Sequence, residues 1–258
     1  MRAFDHHSGT SLEIDGASIY YELTGNENSP VLLVLHGGFG NIENFNALLS
    51  GLDSEFRVIG IDSRGQGKST LGKQVLSYQQ IQQDVERVLK HLDINTLSII
   101  GFSDGGIAAY RLASLTSLNI EKLVTIGSRW HFKNTKSARE LLLKVTGESW
   151  RTKFPDTYEA YQKLNPEPEF EYLAQSLVTM WLDSNSSGYP NDAVQNISCP
   201  LLIARGDDDH LISRDTVFEL SAIVKNSRLL NIPFAGHAAF DDQKEVFLTI
   251  LNKFLLKE

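Results

Sequence analysis

The residues most suited to chemistry are a serine flanked by glycines, between an apolar stretch and a helix-forming stretch. Residues 101–105 read Gly-Phe-Ser-Asp-Gly and follow a predicted strand at 96–100. A Gly-x-Ser-x-Gly sequence between a strand and a helix is typical of a nucleophile elbow, whose sharp turn exposes the serine hydroxyl. Side chains two residues before and after the serine would collide, so both positions are glycine. The sequence therefore predicts that Ser103 is a nucleophile.

A serine hydroxyl needs a base to accept its proton, and the base needs a carboxylate to orient it. With an elbow of this kind, the acid and then the histidine follow the serine along the chain. His237 comes soon after a predicted strand at 228–232, and three consecutive aspartates at 207–209 follow a predicted strand at 201–204. Both loops lie at carboxyl ends of strands, on the same rim as the elbow. These positions predict His237 as the base and leave the choice among the aspartates open.

Acyl transfer also needs two preorganised N–H donors for the oxyanion. The N–H of Asp104 follows the nucleophile at the start of a helix and is one candidate. The other should come from the Gly-Gly-Phe sequence after the apolar strand 31–35, where glycine allows the backbone to approach closely. Gly38 and Phe39 are therefore predicted to line the oxyanion hole together with Asp104.

These residues need a sheet that brings strand ends together. Residues 11–14 and 17–23 flank an Asp-Gly turn and predict an antiparallel hairpin. Apolar strands then alternate with helical segments, which predicts a mostly parallel, doubly wound α/β sheet. The predicted strands are 31–35, 56–61, 96–100, 122–126, 201–204 and 228–232, and the main predicted helices are 43–52, 81–92, 214–224 and 242–256.

The alternation is interrupted between about residues 130 and 194 by a stretch rich in Trp and Tyr. A linker would not carry so many aromatic residues, so we interpret the segment as a helical cap inserted in the core. The predicted domains are 1–129 for the first part of the core, 130–195 for the cap and 196–258 for the rest of the core. Within the cap, helices are expected at 135–145, 157–164 and 170–182, and Trp130 and Trp181 are candidates for lining a substrate pocket.

The composition of the chain argues against nucleic acid and membranes as partners. The net charge of −8 argues against nucleic acid, because no basic stripe is present. The one cysteine, Cys199, cannot form an internal disulfide, which favours a reducing compartment. No stretch approaches the length of a membrane span, and the first ten residues lack the apolar core of a signal peptide. A cytoplasmic protein without a membrane partner is expected, with His6 and His7 in a frayed tail; the oligomeric state is left open.

The motifs together resemble those of the α/β-hydrolase superfamily over nearly the whole chain. They are His36-Gly37-Gly38, Asp62-x-Arg64-Gly65-x-Gly67-x-Ser69, Gly101-x-Ser103-x-Gly105, Gly206-x-x-Asp209 and Gly236-His237. The resemblance implies the α/β-hydrolase fold, a Ser103–Asp209–His237 triad, a helical cap, and no cofactor or metal. Gln66 and Phe39 stand where many members have His and Pro. Neither touches the triad, but the Phe39 change leaves the second oxyanion donor open.

The form of the elbow narrows the resemblance. Related haloalkane dehalogenases and epoxide hydrolases use Asp as the nucleophile, so Ser103 favours acyl transfer to water. The Ser-Asp-Gly-Gly sequence at 103–106 is similar to that of the biphenyl hydrolase-like group, which includes valacyclovirase-type α-amino acid ester hydrolases. Asp104 could attract a substrate ammonium group, or it could simply suit the positive end of the helix.

The sequence thus predicts a serine hydrolase that cleaves a small carboxylic ester, which could be an α-amino acid ester. Substrate-binding candidates are Asp104, Trp130 and Trp181. A carbon–carbon bond hydrolase, an aminopeptidase, a lactonase and a perhydrolase are alternatives with the same triad. A non-catalytic receptor with this fold is disfavoured, because all three triad residues are present in order.

Overall fold

A mixed eight-stranded sheet organises the part of the chain that the computed structural model describes, residues 2–52 and 55–256. The strands lie in the order β1-β2-β4-β3-β5-β6-β7-β8. They are β1 (Thr10–Ile14), β2 (Ala17–Gly25), β3 (Val31–Leu35), β4 (Arg57–Ile61), β5 (Thr96–Phe102), β6 (Asn119–Ile126), β7 (Leu201–Gly206) and β8 (Ser227–Ile232).

The first two strands form the predicted hairpin. β1 pairs with β2 and β2 with β4 in antiparallel fashion, whereas β4, β3, β5, β6, β7 and β8 are parallel to one another. Asp15 and Gly16 at the hairpin turn have φ values of 50° and 77°, as a tight turn with two left-handed residues requires. The predicted α/β-hydrolase arrangement, with an antiparallel start and a parallel remainder, is confirmed.

Helices cover both faces of the sheet. They are α1 (Asn46–Leu49), α2 (Tyr78–His91), α3 (Asp104–Leu115), α4 (Arg139–Leu142), α5 (Gly147–Lys153), α6 (Pro155–Leu164), α7 (Phe170–Trp181), α8 (Arg214–Ile223), α9 (Ala239–Asp242) and α10 (Lys244–Leu256), with 3₁₀ turns at Ile42–Phe45, Phe132–Thr135 and Asn191–Asn196. Apolar residues on one face pack mainly on α2 and α3, and those on the other pack on α10. The inner strand β3 is wholly apolar because both of its faces are covered, whereas β1 and β8 at the ends of the sheet carry exposed residues.

The segment between β6 and β7 is helical, but its elements are shorter than predicted. The helix expected at 135–145 is reduced to a 3₁₀ turn and the four-residue α4, and α5 was not predicted. Thr146 caps α5 by accepting a hydrogen bond from the Ser149 N–H and ends the preceding segment. Phe170 of α7 packs against Tyr158 and Tyr161 of α6. The division of the chain at residues 130 and 195 stays a prediction.

The expectation of a frayed N-terminus is wrong for His6. The side chain of Phe4 is 2% exposed and that of His6 is 1% exposed. His6 Nε2 lies 2.8 Å from Asp62 Oδ2, and its Nδ1 lies 2.6 Å from Glu43 Oε1. His7 next to it is exposed. Phe4 joins the apolar core, but the pattern of apolar residues gave no sign of the His6 contact, because His6 is buried through its pairing with Glu43 and Asp62.

Within the described residues, we find no helix with both the length and the apolar character that crossing a membrane requires.

Candidate active site

The turn from β5 into α3 presents Ser103 as predicted. Ser103 has φ 51° and ψ −115°, a backbone conformation that residues other than glycine rarely adopt. A Cβ on Gly101 would lie 2.6 Å from the Gly105 carbonyl oxygen, and a Cβ on Gly105 would collide with the Leu35 carbonyl. Ser128 Oγ donates a hydrogen bond of 2.9 Å to the Ser103 carbonyl. The glycines therefore make the turn possible, and the loop after β6 supports it.

A continuous hydrogen-bond chain joins three of the predicted site residues. Ser103 Oγ lies 2.9 Å from His237 Nε2, and His237 Nδ1 lies 2.9 Å from Asp209 Oδ2. The three side chains come from loops after β5, β8 and β7, which are separated in sequence but meet at one edge of the sheet. With Nδ1 donating to the carboxylate, Nε2 is free to accept a proton from the serine hydroxyl.

The structure separates the three aspartates of the acid loop. Asp209 is 7% exposed, whereas Asp208 is exposed and Asp207 is paired with Arg214. Asp209 Oδ1 accepts hydrogen bonds from two backbone N–H groups, those of Leu211 and Ile212. Only Asp209 reaches His237.

Asp209 is held in its ionised form. Burial opposes ionisation, but the hydrogen bond and charge of His237 and the two backbone N–H donors outweigh it and hold the pKa of Asp209 below its usual value. An ionised Asp209 can stabilise an imidazolium on His237.

The loop after β3 brings the predicted oxyanion residues next to the elbow. Phe39 has φ 60°, and its N–H donates to no described residue. A Cβ on Gly38 would lie 2.6 Å from Asp104 Oδ2, so glycine is needed there. The Asp104 N–H is at the first position of α3, where helix N–H groups lack intrahelical partners. A Cβ on Gly37 would lie 3.1 Å from the Ser103 Cβ, so the loop packs directly against the elbow.

His36 orients this loop through both ring nitrogens. Nδ1 donates to the Gly37 carbonyl at 2.7 Å, and Nε2 accepts from the Ser63 N–H at 2.9 Å. Burial lowers the pKa of His36, so the ring stays neutral and keeps both bonds. These two hydrogen bonds tie the loop after β3 to the loop after β4.

The Asp104 side chain is buried against the cap. Its Oδ1 accepts a hydrogen bond of 2.8 Å from the Tyr78 hydroxyl, and Trp181 Nε1 lies 3.0 Å from Oδ1 and 2.9 Å from Oδ2. Asp104 is 5% exposed, and burial raises its pKa, against the opposing effects of these hydrogen bonds and of the Arg129 and His237 charges. The carboxylate therefore joins the elbow to α7.

The two candidate tryptophans have different positions. Trp181 contacts Asp104 and lies edge-on to Phe39, with ring centroids 6.1 Å apart. Trp130 is 1% exposed, and its Nε1 donates to the Thr216 carbonyl at 2.9 Å, which is the environment of a core side chain. Trp150, which we did not single out, stacks on Phe39 at 4.0 Å. The aromatic content of the cap was the only sequence signal for Trp150.

A cleft of about 360 Å³ opens beside the oxyanion loop. Phe102, next to Ser103, lines it together with Trp150 and residues of α6 and α9; the lining also includes Gly37, Gly38, Phe39, Gly40, Asn41, Asn44, Asp156, Thr157, Ala160, Ala238, Phe240 and Asp241. A larger depression of about 690 Å³ near Arg2 and Phe56 contains none of the predicted site residues. The smaller cleft therefore borders the loop after β3 and Phe102, the residue that precedes Ser103.

Comparison with known proteins identifies the family of this chain. Residues 30–158, which are half of the chain, match the family model described as alpha/beta hydrolase fold. The chain belongs to this family.

Relatives of similar length support the assignment. The chain is 26% identical to Esterase YbfF of Escherichia coli over 244 residues, covering 88% of this chain and 93% of that protein. It is 26% identical to human Serine hydrolase BPHL over 243 residues, covering 89% and 80%. The solved structure of a hydrolase from Pseudomonas aeruginosa superposes with a TM-score of 0.77 at 21% identity, covering 98% of this chain and all of that one.

Proposed function

We propose that this protein is a serine hydrolase that cleaves carboxylic esters, with Ser103 as nucleophile, His237 as general base and acid, and Asp209 as the group that orients His237. The observation that carries the proposal is the hydrogen-bond chain from Ser103 Oγ through His237 to Asp209, with both distances at 2.9 Å. The relatives named as an esterase and a serine hydrolase are consistent with it.

The reaction has two acyl-transfer steps. As Ser103 Oγ attacks the ester carbonyl, His237 Nε2 takes the hydroxyl proton, and Asp209 stabilises the resulting imidazolium. When the tetrahedral intermediate collapses, the alcohol leaves with that proton, and the acyl group stays on Ser103. Water then gives a proton to His237 and attacks the acyl-enzyme, which releases the acid and restores Ser103.

The oxyanion of each tetrahedral intermediate needs donors that are in place before the reaction. We assign this role to the N–H of Asp104 and to an N–H of the Gly38–Phe39 segment. The positive end of α3 adds to the effect, because the helix dipole favours negative charge at its first turn.

Ester hydrolysis by the wild type and by two serine variants tests the proposal. We expect the wild type to hydrolyse p-nitrophenyl acetate or butyrate, and Ser103→Ala to lose at least about 10⁴-fold in kcat while its melting temperature is retained. Ser117 is exposed and serves as the matched control, so Ser117→Ala should keep wild-type turnover. Full esterase activity in Ser103→Ala would contradict the proposal.

The preference for α-amino acid esters stays a prediction. It requires the Asp104 carboxylate to accept a substrate ammonium group in addition to its bonds from Tyr78 and Trp181. The ratio of kcat/KM for a p-nitrophenyl α-amino acid ester and for its N-acetylated counterpart measures it, and equal values would leave Asp104 with a structural role alone.

A further inference from the structure

Arg129 is a buried cation near the elbow that the mechanism above does not use. It lies three residues after β6 and is 6% exposed. Its Nη2 donates to the Leu211 carbonyl at 3.2 Å, and its Nε is buried without a hydrogen-bond partner among the described residues. Within the same residues, no carboxylate lies within 4.0 Å of the guanidinium nitrogens. Arg129 is therefore a buried charge without an ion-pair partner.

Such an arrangement is costly for folding. A guanidinium carries five N–H donors, and removing a charged group from water without pairing it is strongly unfavourable. The structure thus keeps a positive group and an unused donor inside the protein. A group of this kind is suited to receive an anion that arrives with a ligand.

The position of Arg129 connects it to the candidate active site. Gly127, two residues earlier, packs so closely on His237 that a Cβ there would lie 3.0 Å from its ring. The Leu211 carbonyl that Arg129 contacts belongs to the loop whose N–H groups hold Asp209. Arg129 therefore lies close to the segments that hold His237 and Asp209.

The neighbours of Arg129 do not neutralise it through a direct ion pair. The positive charge of Arg129 opposes the rise in the pKa of Asp104 that burial causes. The Asp104 carboxylate nevertheless accepts its hydrogen bonds from Tyr78 and Trp181. Burial raises the pKa of the Tyr189 phenol to about 12, against the opposing effects of the Arg129 charge and hydrogen bond, so this neighbour stays neutral. Arg129 therefore keeps a positive charge that none of these neighbours pairs directly.

We propose that Arg129 binds a free carboxylate on the ester, so that the preferred substrates are monoesters that carry one negative charge. The planar guanidinium fork matches the geometry of a carboxylate and can donate two hydrogen bonds to it. This inference rests on the proposed ester hydrolysis. It predicts a preference for anionic substrates, whereas Asp104 would favour substrates that carry an ammonium group.

The test compares esters that differ in charge. Ethyl hydrogen glutarate carries the carboxylate on the acyl side, (butanoyloxy)acetate carries it on the alcohol side, and ethyl pentanoate is neutral. Values of kcat/KM are measured for the wild type, for Arg129→Met and for Arg139→Met, which removes an exposed arginine as a matched control. The ratio of anionic to neutral ester within each protein is the readout, because a general loss of activity cancels in it.

We expect the wild type to favour one of the two anionic esters over the neutral ester by at least about tenfold, and the favoured one shows on which side of the scissile bond the carboxylate lies. Arg129→Met should lower that ratio about 10–100-fold, and Arg139→Met should leave it unchanged. A wild type that hydrolyses the neutral ester but does not prefer an anionic one would overturn the inference and still support the proposed ester hydrolysis. An equal loss for all esters in Arg129→Met would also overturn it, because the arginine would then have a structural role only. No turnover of any ester by the wild type would overturn both.

Discussion

Among the described residues, two histidine–aspartate pairs of nearly equal length each include a buried aspartate. His237 Nδ1 lies 2.9 Å from Asp209, and His6 Nε2 lies 2.8 Å from Asp62. They differ in what the second ring nitrogen meets: His237 meets the Ser103 hydroxyl, whereas His6 meets the Glu43 carboxylate at 2.6 Å.

This difference decides what each pair can do. Burial disfavours the charged form of His6, but the hydrogen bonds and charges of Asp62 and Glu43 outweigh it and raise its pKa to about 9. His6 is therefore a cation near neutral pH, and neither nitrogen is free to accept a proton. His237 has one carboxylate and one hydroxyl, so a nitrogen remains to act as a base. A histidine–carboxylate pair thus holds two segments together in one region and, under the proposed function, belongs to the reactive site in the other.

The largest effect expected is on the reactive pair. Asp209→Asn should lower kcat about 10⁴-fold, because the amide cannot hold His237 in the same tautomer or stabilise its cation. Steady-state ester kinetics measure this change. Asp208→Asn alters an exposed neighbour and should leave kcat as it is. Activity of Asp209→Asn within tenfold of the wild type would remove the distinction between the two pairs.

The next largest effect on kcat is expected at Gly38. This residue belongs to the loop after β3, which lies beside the elbow, and the His6 pair has no such loop. In Gly38→Ala the new Cβ would lie 2.6 Å from Asp104 Oδ2, and the loop or the elbow has to shift. We expect a loss of about 10²–10³ in kcat, the size typical of losing one oxyanion donor. If kcat were unchanged and only KM rose, the loop would contribute to binding rather than to stabilisation of the oxyanion.

A smaller effect, on stability instead of activity, is expected at the other pair. His6→Gln should lower the free energy of unfolding by about 1.5–3 kcal/mol near neutral pH while kcat is retained, because a charged hydrogen-bonded pair is lost. Urea unfolding measures this difference. His7→Gln changes the exposed neighbour and should leave stability unchanged.

The pH dependence of this difference has a definite sign. The folded-state pKa of His6 is raised from 6.5 to about 9, so its contribution is fully present below pH 6.5 and disappears as the pH rises through about 9. Wild type and His6→Gln should therefore converge in stability above that pH. A difference that grew with pH would contradict the assignment of a charged His6.

The smallest effect concerns Glu43, whose side chain is 43% exposed. Glu43→Gln should lower the free energy of unfolding by less than about 1 kcal/mol, because solvent screens the pair with His6. It should also lower the pKa of His6. Proton NMR titration of the His6 ring measures the pKa. An unchanged pKa would mean that Asp62 alone keeps the ring charged.

The positions of Ser103 and His237 could be predicted from the sequence because each follows from a local rule. The glycines around Ser103 are required by the strained turn, and His237 follows a strand end. The choice of Asp209 required the family resemblance, because the residues around the three consecutive aspartates do not show which one contacts His237. In the structure, pairing with Arg214 occupies Asp207, and Asp208 is exposed.

Contacts between distant segments could not be predicted in the same way. The burial of His6 depends on Glu43 and Asp62, which belong to separate elements. The stacking of Trp150 on Phe39 depends on how the helical segment folds over the core. Arg129 has no motif around it, and its lack of an ion pair becomes visible only once its neighbours are placed.

The central claim is that the environment of His237 makes Ser103 nucleophilic, and labelling with a fluorophosphonate tests it most directly. Intact-mass measurement should find one label per wild-type chain, peptide mapping should locate it on Ser103, and His237→Gln should react at least about 10³-fold more slowly. His6→Gln should react at the wild-type rate. A wild type that is not labelled, or a His237→Gln variant labelled as fast as the wild type, would contradict the account.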